Sequence, residues 1–205
     1  MVASIRRAGG GPRSLARTLR PLLHILGSIG GGVGIGLLFG WIGIVVQLND
    51  SVSLPLRIVA IGLVTTVYSL GDLRGWHLLR PQMARQTPRS WRYRWPPALT
   101  AVLYGVDLGS GVLTRVITGG LYSLVAAAFF LGPSSGALLM GAFGFGRGLI
   151  VAIWLWWSWP QDDDRFHDWM TNLLHWTSSF QRSLSWTAVG IGLVLIVGAF
   201  RDLGV

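Results

Sequence analysis

The chain has 205 residues, of which 51% are hydrophobic and 12% charged, and its mean hydropathy is +0.54. Soluble domains carry about 25% charged residues, so this composition excludes a soluble enzyme. It also excludes a disordered chain, because disorder requires low hydrophobicity and high charge. The absence of cysteine excludes disulfides, thiolate metal sites, iron–sulfur clusters and thiol redox chemistry. What remains is an all-α integral membrane protein.

The positive charge is concentrated in two segments. All 17 basic residues are arginine, and the formal net charge is +9. Eleven of them lie before the first apolar run or in one loop: Arg6, Arg7, Arg13, Arg17, Arg20, Arg74, Arg80, Arg85, Arg89, Arg92 and Arg94. Arginine-rich flanks remain in the cytoplasm, where they meet anionic lipid. Residues 1–21 are therefore predicted to be a cytoplasmic tail and 72–96 a cytoplasmic loop, with Asp72 and Arg74 in solvent at its start.

Apolar runs predict the membrane-spanning helices, since about 20 residues are needed to cross the hydrocarbon core. Residues 22–205 are expected to form a single polytopic domain, a bundle of about six transmembrane helices, for which a pseudo-symmetric arrangement is one alternative. The predicted spans are 22–48, 54–71, 98–113, 116–131, 136–158 and 184–200. A Pro/Gly turn separates the fourth span from the fifth, but only Thr114-Arg115 separates the third from the fourth. One long broken helix over 98–131 is therefore an alternative. Six crossings place both termini in the cytoplasm, at the inner (plasma) membrane.

The segment 160–183 is predicted to be an amphipathic helix lying in the outer interface. Its aromatic and aliphatic residues recur at helical spacing. Its acidic residues favour a position on the outer side. The run Asp162–Asp164 is well placed to cap the N-terminus of this helix. A metal site built from Asp163, Asp164, His167 and Asp168 is the alternative. Capping explains the acidic residues more simply, so we expect no metal.

Glycines are abundant inside the spans, with 29 in the chain. Gly32, Gly36 and Gly40 form a doubled GxxxG ridge, and Gly105 with Gly109 repeats the spacing, as does Gly144 with Gly148. Small residues at this spacing allow helices to approach closely in lipid, which predicts packing within the chain, in a homo-oligomer or against another membrane protein. The alternative is a helix unwound at Gly30–Gly32 that lines a solute or ion site.

Ionisable residues inside the spans define a tentative substrate or ion pathway. Asp107 lies in mid-span, and Tyr104 and Thr114 share its helix face, with Ser110 nearby. Arg147, on another span, is expected to face Asp107, because a charge at membrane depth is usually paired or faces water. The alternative is a structural ion pair that sets the helix register.

No catalytic constellation is apparent, so we expect neither an enzyme nor a cofactor. His24 and His77 could be imagined as axial haem ligands, but His77 lies beyond the end of its helix beside Trp76. The loop 72–96 contains interleaved tryptophan and tyrosine, which fit a headgroup belt, and nucleic-acid binding is not expected. A lipid-modifying enzyme using this loop is a third, less favoured possibility.

Three stretches carry a family resemblance: Arg85 to Trp91, Tyr104 to Thr114, and Gly136 to Arg147. Together they resemble the CcdA/DsbD-like superfamily of polytopic transmembrane conduits, over residues of about 85–150. The resemblance implies a pseudo-symmetric six-helix fold with inverted repeats. Members of that superfamily carry electrons through cysteine pairs, an activity that cannot apply to a chain without cysteine.

Two functions follow from these observations. The first is a transporter or conduit for a small solute or ion without thiol redox chemistry, which depends on Asp107 and the glycine-rich spans. The second is a non-catalytic accessory or scaffold subunit of a larger membrane complex, which depends on the small size, the lack of catalytic motifs and the GxxxG ridges. The two make different predictions. Asp107→Asn would abolish the first function, whereas bulky residues at Gly36 or Gly40 would abolish the second.

Overall fold

The computed structural model describes residues 13–46, 51–75, 94–111, 119–157 and 163–202. These residues form six α-helices and no strand, which confirms the all-helical class. The helices are α1 (Arg13–Val45), α2 (Leu54–Leu73), α3 (Pro97–Ser110), α4 (Gly120–Leu131), α5 (Pro133–Trp157) and α6 (Asp163–Asp202). Four of them, α1, α2, α5 and α6, contain stretches long and apolar enough to cross a membrane. These stretches support a membrane protein, whereas a bundle of six full-length spans is not confirmed among the described residues.

The region 98–131 contains two short helices. α3 has 14 residues and α4 has 12, so they rise about 21 Å and about 18 Å against a hydrocarbon core of about 30 Å. α3 ends where Gly111 adopts a left-handed conformation, with φ of 67°, as glycine commonly does after a helix. The predicted span 98–113 thus extends past the glycine stop that ends α3, and the start of the predicted span 116–131 lies outside the described residues.

α1 is continuous through Gly30, Gly31 and Gly32, so the helix is not unwound there. The reason lies in the three directions that these residues face. A Cβ on Gly31 would overlap Val106 of α3, and one on Gly32 would overlap Met140 of α5, whereas one on Gly30 would meet nothing within 4 Å. Successive glycines permit close contact with two helices that lie on different sides of α1.

α6 is a single helix of 40 residues. It includes most of the predicted amphipathic segment 160–183 and all of the predicted span 184–200. The sequence-based prediction had these as two separate elements. Its apolar part runs over Phe180–Asp202. Because α6 continues through residue 183 without a turn, the two segments share one axis.

The chain folds into two compact units. The first contains α1 up to Gly36, α3, and α5 from Ala137. There α3 runs parallel to α1, since Gly27 meets Val102 and Gly31 meets Val106. α5 runs antiparallel to α1, because Gly32 meets Met140 whereas Gly144 meets Ser28.

The second unit contains the end of α1, α2, α4, the first turn of α5, and α6. α6 is antiparallel to α2, with Gly62 against Gly192 and Ile196. The buried positions of α6 repeat at helical spacing, which forms the stripe that packs on α2: Ser185, Val189, Gly192 and Ala199. α4 is also antiparallel to α2, because Asp72 and Tyr68 lie beside its first turn.

Candidate functional site

The closest helix contacts of the first unit converge on Ser28 of α1. Ser28 is fully buried, and its Oγ donates a hydrogen bond to the Gly144 carbonyl oxygen at 2.6 Å. A Cβ on Gly109 or on Gly144 would overlap the Ser28 carbonyl oxygen, and one on Gly148 would lie 2.9 Å from Ser28 Cβ. We call this set, Ser28 with Gly109, Gly144 and Gly148, the Ser28 junction. Three helices meet there almost backbone to backbone, and a side chain at any of the three glycines would separate them.

The remaining packing glycines of the prediction also lie in contacts within the units. Gly105 faces the His24 carbonyl oxygen, and Gly32 faces the Met140 carbonyl oxygen, both in the first unit. Gly36 is buried. Gly40 faces Gly132 and Pro133 in the second unit. A Cβ on Gly32, Gly40 or Gly105 would overlap backbone of a neighbouring helix or turn, so the geometry of these three positions is that of close packing.

His24 lies one turn before Ser28 and is completely buried. Its Nδ1 lies 3.2 Å from the Ala101 carbonyl oxygen. Because a carbonyl only accepts, Nδ1 donates its proton in this contact. Nε2 is sealed from solvent and has no hydrogen-bond partner. His77, the imagined second haem ligand, lies outside the described residues.

Arg147 and Asp107 come together at the C-terminal end of α3. The guanidinium donates from Nη1 to the Leu108 carbonyl oxygen at 2.8 Å, and its charge interacts with that of Asp107. It also lies 5.5 Å from the centre of the Phe143 ring. A cation is favourable at a helix C-terminus, where unpaired carbonyls carry partial negative charge. Arg147 therefore caps α3 as well as balancing the charge of Asp107.

The other residues of the predicted pathway lie around this end of α3. Tyr104 is 2% exposed and Asp107 is 3% exposed. The Ser110 hydroxyl donates to the Asp107 carbonyl oxygen at 2.9 Å. Thr114 lies outside the described residues. Ser110 and Arg147 thus donate to two successive carbonyl oxygens at the end of α3, which holds this helix in place.

In the second unit, a charged side chain meets the start of α4. The carboxylate of Asp72, near the end of α2, accepts a hydrogen bond from the Gly119 backbone N–H, and the rings of Tyr68 and Tyr122 stack with centroids 4.5 Å apart. The first N–H groups of a helix have no partner within the helix and favour a negative charge. The partly exposed Asp72 therefore caps α4, a role that the expectation of a solvated helix end did not include.

Among the described residues, no group of three or more His, Asp or Glu could hold a metal ion. The acidic residues of the alternative metal hypothesis, Asp163, Asp164 and Asp168, have side chains outside the described set, as does His167. That hypothesis stays untested.

The sequence reasoning missed Ser28 and His24 as members of the packing ridge. They continue the four-residue spacing of Gly32, Gly36 and Gly40 toward the start of the helix. A search for serine as well as glycine at this spacing would have found Ser28, because serine is also a small residue that favours close helix contacts in membranes. The role of Asp72 carried no local signal, since its partner Gly119 is 47 residues away.

Comparison with known proteins gives consistent relatives. The chain is 32% identical over 154 residues to the methylamine utilization protein MauF of Paracoccus denitrificans, which covers 74% of the chain and 55% of the relative. It is 34% identical over 173 residues to MauF of Paracoccus versutus, covering 82% of the chain and 61% of the relative. The MauF of Methylorubrum extorquens is 36% identical over 135 residues, 64% of the chain and 46% of that protein. The matched part thus spans about half to three fifths of these relatives. No protein-family model and no solved structure matches the chain.

These relatives correct two expectations. The resemblance to CcdA/DsbD-like conduits is not supported, because the similar proteins are all named MauF. Glycine spacing carried that resemblance, and glycine ridges recur wherever membrane helices pack closely. The expected transport of a solute or ion is also wrong, since the relatives are named for methylamine utilization. Arg147, which was expected to face Asp107, also caps α3.

Proposed function

We propose that the chain is a membrane-embedded, non-catalytic accessory protein that supports methylamine utilization. The observation that carries the proposal is the similarity to MauF proteins from five organisms, at 30–36% identity. The proposal takes the process from the name of the relatives, and the accessory role from the buried polar groups of this chain.

The absence of catalysis is inferred from how those polar groups are used. Ser28 joins α1 to α5, Arg147 joins α5 to α3, and Asp72 joins α2 to the start of α4. These three polar side chains, which reach across helices, thereby each close a contact within their unit. Residues held in this way stabilise a scaffold, whereas a catalytic set would converge on a space where a substrate atom could lie.

We further propose that the tail 1–21 and the loop 72–96 face the cytoplasm at the inner membrane, in contact with anionic lipid. The parallel packing of α1 and α3 supports a common side for the two segments, because each precedes the start of one of these helices. The concentration of arginine in both segments supports the cytoplasmic side.

A growth experiment tests the proposed process. Deleting the gene from its own host should abolish growth on methylamine as sole nitrogen source and leave growth on ammonium unchanged. A plasmid copy should restore growth, as should a copy carrying Gly34→Ala, where a Cβ would meet nothing within 4 Å. Undiminished growth of the deletion strain on methylamine would rule out the proposed process.

The native mass of the tagged protein tests the accessory role. After gentle extraction from its own membrane, we expect a second polypeptide in fixed stoichiometry with this chain. A chain recovered alone or only with copies of itself would contradict the subunit interpretation, whatever the growth result.

A further inference from the structure

We infer that the chain crosses the membrane five times, with residues 97–132 supplying one crossing and the Arg201–Asp202 end of α6 on the side opposite the arginine-rich segments. The inference depends on helix directions within each unit and on chain connectivity. It does not depend on the proposed function.

The helix directions in the first unit define which helix ends lie on the same side. α3 is parallel to α1 and α5 is antiparallel to it, as the contacts of Gly31 with Val106 and of Gly32 with Met140 establish together with those at Ser28. The start of α1, the start of α3 and the end of α5 therefore point to one side. We call this the arginine side, because the tail 1–21 and the loop 72–96 lead into α1 and α3.

The second step concerns residues 97–132. They begin at the start of α3 on the arginine side and lead into Pro133, the start of α5, on the other side. An odd number of crossings is required, and neither α3 nor α4 reaches the thickness of the hydrocarbon core. One crossing shared by two short helices meets both conditions, in place of the two crossings that were expected.

The third step places α6. It begins six residues after α5 ends, and six residues span at most about 21 Å, too short to recross a core of about 30 Å. α6 therefore begins on the arginine side, and its apolar stretch Phe180–Asp202 leads to the opposite side.

The second unit gives the same answer by another route. α6 is antiparallel to α2, and the end of α2 leads directly into the loop 72–96. The start of α6 therefore shares a side with that loop.

Charge distribution agrees with this arrangement. Arg165 and Arg182, which precede or begin the apolar stretch of α6, join the eleven arginines of the tail and loop on one side. The acidic residues of 160–168 lie there too, opposite to the side expected from their charge. Acidic residues contribute little to orientation, whereas arginines dominate it.

Single cysteines test the inference, because the chain has none of its own. Arg94, Ser134 and Asp202 are exposed and lie at helix ends. A membrane-impermeant maleimide should label Ser134→Cys and Asp202→Cys in intact cells and Arg94→Cys only in inverted vesicles. Labelling of Ser134→Cys or Asp202→Cys from the same side of the membrane as Arg94→Cys would overturn the inference. Six crossings would place all three positions on that side.

Two reporters on the full chain give a signal for either outcome. Alkaline phosphatase fused after residue 205 is active only outside the cytoplasm, and green fluorescent protein in the same position fluoresces only inside. With Arg94→Cys labelled from the cytoplasm, we expect an active phosphatase and no fluorescence. A fluorescent fusion with an inactive phosphatase would overturn the inference even if the cysteine variants fail to label.

Discussion

The two units hold their helices together through different contacts. In the first, helices meet through backbone at the Ser28 junction, and polar side chains are buried along the contact. In the second, α2 and α6 meet at a single close pair of glycines, Gly62 and Gly192, and α2 contacts α4 through stacked tyrosines. A glycine-rich sequence does not distinguish these two kinds of contact. Whether a glycine meets the backbone of another helix depends on which helices surround it.

The two short helices, α3 and α4, differ in the charge that meets their ends. α3 ends on a cation, Arg147, whereas α4 begins on an anion, Asp72. Both charges come from a longer neighbouring helix, and each matches the partial charge of the helix end that it meets. A helix too short to reach both membrane surfaces must have its exposed backbone groups satisfied by protein, since lipid cannot do so.

The largest expected effect is at the end of α3. Arg147→Met removes the cation that caps α3 beside the buried Asp107 and should destabilise the protein by about 1.5–3 kcal/mol, the usual contribution of a hydrogen bond to a charged group. Thermal unfolding in detergent measures the loss. The double variant Arg147→Met with Asp107→Asn should recover part of it, and strictly additive effects would show that the two charges do not act as a pair.

An intermediate effect is expected at the Ser28 junction. Gly109→Ala places a methyl group on the Ser28 carbonyl oxygen, and such overpacking costs about 1–3 kcal/mol. Gly34→Ala is the matched control on α1, where the space is open and alanine favours the helix by about 1 kcal/mol. Equal melting temperatures for the two variants would contradict the close contact.

The smallest effect is expected at the start of α4. Asp72→Asn keeps an acceptor oxygen but removes the charge, so the cap should weaken by about 0.3–1 kcal/mol. Asp202→Asn, at the exposed end of α6, provides a control for a carboxylate outside this cap. A loss at Asp72 no greater than that at Asp202 would show that the charge does not stabilise α4.

The prediction from sequence was strongest where long apolar runs decide the outcome. The runs 22–48, 54–71 and 136–158 each overlap one helix long enough to span. Over 98–131 it did not place the end of α3, because that end depends on a backbone turn at Gly111 and on a side chain 39 residues away in α5. It took the acidic residues of 160–168 as weak evidence for the outside, and the proposed five crossings place them on the arginine side instead.

Composition alone determined that this chain is apolar enough for a membrane, because mean hydropathy is a sum over residues. Its helical class follows, since backbone groups in lipid must be satisfied within the protein. Local spacing indicated the glycine ridge of α1 and the presence of Asp107 in an apolar run. Only the tertiary structure decided that Arg147 caps a short helix beside Asp107, that three glycines in a row face three directions, and that α3 runs parallel to α1. These features are relations between distant segments, and no window of sequence contains the two partners of such a contact.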